Sequence, residues 1–147
     1  MKVREVMSRD PACCVLSDSA QTVARILCQR NIGSMPVVAD QESRKLVGMI
    51  TDRDLCCSVI AQGLDPTTTK IEKFISLPPL SCRDGENIET CERLMQEHRI
   101  RRVPIVDAED RVIGMVSQAD LALHDKPERV SKTVAEISKA SQPSIAA

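Results

Sequence analysis

The sequence predicts an α/β (α+β) fold. Two copies of one strand-helix-strand-strand-helix unit pack sheet to sheet about a pseudo-two-fold axis, and a further helix follows at the C-terminus. Three observations carry this prediction. The stretch Leu46-Val47-Gly48-Met49-Ile50-Thr51-Asp52-Arg53-Asp54-Leu55 recurs as Val112-Ile113-Gly114-Met115-Val116-Ser117-Gln118-Ala119-Asp120-Leu121. Each copy is an apolar run with a central glycine, then a hydroxyl residue, two free positions, an aspartate and a leucine, the pattern of a buried strand running into a helix start. Finally, residues 2–38 lie on 70–106 at a constant offset of 68 with nine identities, among them Lys2/Lys70, Cys14/Cys82, Ile32/Ile100, Pro36/Pro104 and Val38/Val106. A tandem duplication accounts for all three.

Each copy opens with a short extended segment, 12–16 or 80–83, behind a proline. A helix follows. In the second copy Ile88, Cys91, Leu94, Met95 and His98 fall on one helical face, and in the first Val23, Ile26 and Leu27 do the same. Gly33 stands where a helix C-cap is expected. Two strands come next, 35–39 with 46–50 and 103–106 with 112–116, and Pro36 and Pro104 sit at strand starts, where a missing N–H is tolerated. The polar links 40–44 and 107–110 suit hairpins. A second helix runs from Asp52 to about 61, or from Gln118 to about 124. Gly63-Leu64-Asp65-Pro66-Thr67-Thr68-Thr69 joins the halves, and Lys126-Pro127 opens the last helix, to about 140, before a fraying tail at 141–147. A unit of roughly 55 residues buries only about 60% of its chain surface, so two copies should cover one another and leave two equivalent clefts.

Composition narrows the function. The 147 residues are 42% hydrophobic and 28% charged, with a net charge of −1, so no global field recruits nucleic acid or an anionic membrane. Phe74 is the sole aromatic residue, which argues against base-stacking platforms. No apolar run approaches the roughly 20 residues of a membrane span, and the N-terminus lacks a signal-peptide core, so the expected location is cytoplasmic. The seven cysteines, Cys13, Cys14, Cys28, Cys56, Cys57, Cys82 and Cys91, include two adjacent pairs and no Cys-x-x-Cys. Without a secretory signal they read as small buried apolar residues rather than disulfides or zinc ligands. No Ser/His/Asp or Cys/His arrangement, glycine-rich phosphate loop or metal signature points to an enzyme, so catalytic and metal-binding residues are expected to be absent.

The repeated order Ile32-Gly33-Ser34-Met35-Pro36-Val37-Val38 … Leu46–Leu55, with its second copy, closely resembles tandem cystathionine-β-synthase (CBS) domains, the Bateman module. The likeness covers residues 1–126 and, with the linker and Arg101-Arg102-Val103-Pro104, is similar to stand-alone CBS-pair proteins of the hypoxic response type. It implies a first CBS domain over 1–64, a second over 65–126, and a C-terminal helix and tail over 127–147. It also implies a homodimer and clefts that hold an adenosine-containing nucleotide (AMP, ADP, ATP or S-adenosylmethionine). Carried over residue by residue, Asp54 and Asp120 take ribose hydroxyls, and Thr51 and Ser117 face phosphate. Arg101 and Arg102 occupy a place where family members often carry basic side chains toward phosphate.

Elementary chemistry supports the same roles. A carboxylate accepts both hydroxyls of a cis-diol, a helix N-terminus offers N–H groups to phosphate, and arginine forks two phosphate oxygens. Gly48 and Gly114 permit close approach of either a ligand or a second backbone. The same Thr51-x-x-Asp54 and Ser117-x-x-Asp120 patterns are also capping boxes that need no ligand, and cap and site can coexist. With Gly33-Ser34 in place of Arg101-Arg102, phosphate compensation in the first copy is in question, and Arg53 is a possible substitute. Adenine would lie between aliphatic side chains, Ile32, Met35, Ile50, Ile100 or Val116. The expected function is a non-catalytic regulatory module that needs no cofactor and signals through dimer geometry to an effector protein. The alternatives are a ligand-free scaffold and a cysteine-based redox sensor.

Overall fold

The computed structural model describes residues 1–75 and 79–139 of the chain. The expected end of the last helix near 140, the tail 141–147 and Ser76 of the repeat alignment lie outside the described residues. In chain order the elements are α1 (Val3–Val6), β1 (Ser8–Arg9), β2 (Cys14–Val15), α2 (Ala20–Arg30), β3 (Ser34–Val38), β4 (Leu46–Thr51) and α3 (Asp52–Leu55). A π-helical turn (Cys56–Ile60) and a 3-10 turn (Ile71–Lys73) come next, then β5 (Cys82–Arg83), α4 (Ile88–His98), β6 (Arg102–Val106), β7 (Val112–Ser117), α5 (Gln118–His124) and α6 (Pro127–Ile137).

The two repeats build matching sheets. In the first, β3 pairs parallel with β2 and antiparallel with β4; in the second, β6 pairs the same way with β5 and β7. Equivalent pairs recur in register, Val37 opposite Gly48 and Ile105 opposite Gly114. The hairpins meet through Leu46 N–H on the Asp110 carbonyl at 3.0 Å and Val112 N–H on the Arg44 carbonyl at 2.8 Å. Beneath them Cys13, Val38, Val106 and Val112 form an apolar layer between the sheets. No helix among the described residues is long and apolar enough to cross a membrane.

The helices start and stop for local reasons. Ser19 caps α2, its Oγ accepting the Thr22 N–H at 3.1 Å. The expected cap at Gly33 is corrected: α2 ends on Asn31, whose φ of 52° puts it in the left-handed region, with its N–H on the Cys28 and Leu27 carbonyls. Asparagine tolerates that conformation, so Gly33 is left for another purpose. The helix expected over 52–61 keeps regular winding only through Leu55. It then widens, with the Ala61 N–H reaching the Cys56 carbonyl at 2.9 Å. Leu55 and Val59 stay in the core, while Cys56, Cys57 and Ile60 face outward.

The repeats also exchange their leading segments. Residues 1–9 pack chiefly on the second repeat rather than on the one they precede. The Val3 N–H donates to the Glu86 carbonyl at 2.9 Å and the Ile88 N–H to the Met1 carbonyl at 3.0 Å. β1 adds to the second sheet along β7, which gives the order β1-β7-β6-β5. Val3, Val6 and Met7 complete the second core with Ile88, Met95, Val103, Ile105, Val116 and Leu121. In mirror fashion the linker turns back to the first repeat: the Ile71 N–H reaches the Asp18 carbonyl at 3.1 Å, and Ile71 packs with Val23, Leu27, Met35, Val37 and Ile50. Val3 and Ile71, equivalent residues, are both fully buried.

That exchange explains Gly114. A Cβ there would stand 2.5 Å from Met7 Sδ and 3.0 Å from the Ser8 carbonyl oxygen. The close approach is therefore that of a second backbone rather than of a ligand.

Candidate functional site

Two clefts open where one repeat's strand-to-helix turn faces the segment entering β3 or β6 of the other. The first, about 580 Å³, brings Thr51, Asp52 and Arg53 together with Ile100, Arg101 and Arg102. The second, about 350 Å³, brings Ser117 and Asp120 together with Ile32 and Ser34. Both volumes suit a small ligand. Arg101 therefore belongs to the cleft of Thr51 rather than to that of its own repeat's Ser117. Arg102 and Ser34 line both clefts.

The turn itself is a capping box in each copy. The Asp54 N–H donates to Thr51 Oγ1 at 3.1 Å, and the Thr51 N–H donates to Asp54 Oδ2 at 2.8 Å. In the second copy the corresponding distances are 3.2 and 2.7 Å. In both copies Oδ2 is the engaged oxygen, and Oδ1 of Asp54 and of Asp120 has no partner among the described residues. Cap and receptive carboxylate coexist in one side chain.

In the first copy the expectation of free helix N–H groups is corrected. The Asp52 N–H is taken by the Gly33 carbonyl at 2.8 Å, that of Arg53 by Asp52 Oδ1 at 2.8 Å and that of Asp54 by Thr51. An anion at this turn must be held by side chains. The hydroxyls differ in this respect: Ser117 Oγ donates to Asp120 Oδ2 at 2.8 Å, whereas the Thr51 hydroxyl only accepts, so its proton is unused among the described residues. The side chains of Arg53, Arg101 and Arg102 form no ion pair among the described residues.

Gly33 and Ser34 acquire their purpose here. A Cβ at Gly33 would lie 3.3 Å from both Arg102 Nη1 and Asp52 Oδ2, so the glycine leaves room for the guanidinium at the cleft. Ser34 is buried to within 8% exposure, and its Oγ has no hydrogen-bond partner among the described residues. A buried hydroxyl without a partner costs about 1–3 kcal/mol, which a polar group entering the cleft would recover. Sequence reasoning passed over Ser34 as a lost arginine. The usable signal was its alignment with Arg102 at the repeat offset.

The apolar lining differs from the expected one. Ile32 and Ile100 line the second and first cleft, but Met35, Ile50 and Val116 are fully buried in the two cores and line neither. Strand alternation is the reason. The residues beside them, Met49 and Thr51 on β4 and Met115 and Ser117 on β7, face the clefts, joined by Pro104 and Pro36.

The cysteines divide. Cys13, Cys14, Cys82 and Cys91 are buried, as expected for small apolar residues, but Cys28, Cys56 and Cys57 are exposed, and all seven are free thiols. Burial pushes the Cys14 thiol up to about 12. Cys91 is raised by its hydrogen bond with Cys82 and by burial. Among the described residues no three His, Cys, Asp or Glu side chains gather into a group able to hold a metal ion.

Comparison with known proteins adds a consistent picture. The model of the CBS domain matches residues 3–60 and again 71–125. Hypoxic response protein 1 of Mycobacterium tuberculosis is 31% identical over 121 residues, 82% of each chain. The crystal structure of Hypoxic Response Protein I with two coordinated zinc ions superposes with a TM-score of 0.76 at 28% identity, over 86% of this chain and 100% of that one. The CBS domain pair of protein MJ0100, in complex with 5-methylthioadenosine and S-adenosyl-L-methionine, gives a TM-score of 0.73 at 28% identity, over 84% and 94% of the two chains.

Proposed function

The chain belongs to the CBS-domain family, and from that premise we propose that it is a non-catalytic regulatory module binding an adenosine-containing nucleotide (AMP, ADP, ATP or S-adenosylmethionine) in the clefts between its repeats. One observation carries the reading. In the second cleft Asp120, a carboxylate with one oxygen free, meets the segment entering β3 of the other repeat; in the first, Thr51, Asp52 and Arg53 meet the segment entering β6, with Asp54 one residue beyond the lining. In this reading Asp54 and Asp120 accept ribose hydroxyls through Oδ1. Phosphates lie in the first cleft, where the unused Thr51 hydroxyl proton meets Arg101 and Arg102, the latter's guanidinium beside Gly33. Ile100 and Met49 cover the base there, and Ile32 and Met115 in the second cleft. The adenosyl ligands of the MJ0100 pair support the ligand class. The module acts as a homodimer whose geometry reports occupancy to an effector protein, in the cytoplasm, without nucleic acid or membrane as a partner.

Thermal melting with AMP, ATP, S-adenosylmethionine and NAD tests this. A true ligand at 100 times its Kd adds about 2.7 kcal/mol of stability. Unchanged melting with all four would overturn the nucleotide reading in favour of a scaffold. The exposed thiols of Cys28, Cys56 and Cys57 support a redox reading instead if melting responds to oxidant alone.

A further inference from the structure

Helix α6 lies beyond both matched CBS segments, yet it is held by an unusual charge arrangement. One guanidinium, that of Arg129, serves three carboxylates. Nη1 meets Glu89 at 3.0 Å, Nη2 meets Glu92 at 2.6 Å, and Nε lies 3.3 Å from Asp125. The side chains of Glu92 and Asp125 are each only 6% exposed. Glu92 Oε1 and Asp125 Oδ2, the latter being the oxygen that Nε faces, are both buried without a hydrogen-bond partner among the described residues. Two carboxylates cannot both keep their charge beside one cation out of water without a large penalty, and two acceptors cannot satisfy each other. A single proton between them solves both problems, because a carboxylic acid donates where a carboxylate accepts.

We propose that Glu92 and Asp125 share one proton, and that this proton latches α6 onto the second repeat. Glu92 is the acid, donating to the Asp125 carboxylate, and Arg129 balances the one negative charge that remains buried. Burial, then the bond to Asp125, pushes the Glu92 carboxyl above its ordinary range. Burial alone would raise Asp125 as well, but the bond with Glu92, the Lys126 backbone and Arg129 together hold it below its ordinary range. The other titratable groups that face the pair are Glu89 and the Cys91 thiol on α4 and Lys126 ahead of α6, and the N-terminal amine faces Glu89.

The sign follows. Glu92 binds its proton more tightly in the docked state, so its contribution is complete below the ordinary glutamate range and is lost as pH rises through its raised value. Asp125 contributes above the ordinary aspartate range and loses that contribution as pH falls through its lowered value. Docking of α6 is therefore tightest in mild acid. It weakens on the alkaline side by up to about tenfold per pH unit until Glu92 has ionised.

The test uses the full chain. Carboxyl 13C titration by NMR should place Glu92 above the ordinary glutamate range. Amide protection of residues 128–137, corrected for intrinsic exchange, should fall through the same pH interval. In Glu92→Gln, whose amide donates to Asp125 at every pH, that alkaline fall should disappear. Glu92 titrating in the ordinary range would overturn the proposal, as would α6 protection that ignores pH. An unchanged fall in Glu92→Gln would do the same, and the wild-type titration decides the matter even if that variant folds poorly.

Discussion

Ser34 and Arg102 are equivalent residues, 68 positions apart, and they meet at the seam between the two clefts, each lining both. One presents a buried hydroxyl without a partner and the other a guanidinium without an ion pair among the described residues. The duplication placed the same position on both sides of the axis, and divergence gave it a neutral donor on one side and a cation on the other.

Ser34→Ala should therefore stabilise the unliganded protein. Removing an unsatisfied buried hydroxyl relieves about 1–3 kcal/mol, read as a higher urea midpoint at unchanged slope. The same substitution should weaken nucleotide binding, measured by calorimetry. A less stable variant would mean that Ser34 has a partner after all.

Arg101→Ala and Arg102→Ala separate phosphate from base recognition. Charge-assisted hydrogen bonds contribute about 1.5–3 kcal/mol, so each change should weaken AMP or ATP about 10- to 100-fold and leave adenosine untouched. Arg102→Ala should affect both clefts and Arg101→Ala only the first, visible in the stoichiometry of a calorimetric titration.

Asp54→Ala and Asp120→Ala each remove half of a capping box. The apo protein should lose about 0.5–2 kcal/mol per site. The stabilisation added by nucleotide should vanish at the altered cleft as well. Thr51→Ala, assayed with adenosine so that its own phosphate contact drops out, provides the control for the first cleft, since it breaks the same cap and leaves the carboxylate. If nucleotide still stabilises Asp54→Ala in full, the aspartate is a cap and nothing more.

Gly114→Ala should cost about 1–3 kcal/mol, the range for forcing extra volume into a packed site, measured by urea unfolding. Met7→Ala in the same chain should recover only part of it, because the Ser8 carbonyl stays 3.0 Å from the new methyl. Full recovery would place the whole conflict on the methionine.

A thiol reagent on the native protein should label three cysteines quickly, Cys28, Cys56 and Cys57, and the other four only on unfolding. The thiolate is the reactive form. Cys14, held at about 12, and the raised Cys13 and Cys91 stay protonated at neutral pH. A count above three would mean that the region between the sheets opens.

Much of this architecture was legible in the residues. The doubled strand-glycine-hydroxyl-aspartate stretch identified both hairpins and both capping boxes, because periodicity and cap chemistry are local. Which face of β4 or β7 turned outward was not legible. Ile50 and Val116 are apolar, but so are their neighbours Met49 and Met115, so the run hides its own alternation. The left-handed residue ending α2 was assigned to Gly33 on preference alone, although Asn31 is nearly as tolerant. The exchange of leading segments left no local trace, since Val3 and Ile71 look like ordinary apolar residues until their distant partners are known. Occupancy of the first-turn amides was hidden for the same reason: the Gly33 carbonyl that takes the Asp52 N–H is 19 positions away.

The crossing of the leading segments bears on the order of events at the ribosome. Val3, Val6 and Met7 emerge ahead of both hairpins, yet their seat on β7 exists only once Val112–Ser117 has been synthesised. Until then Val3, Val6 and Met7 travel uncovered, made before their partners and settled only after them.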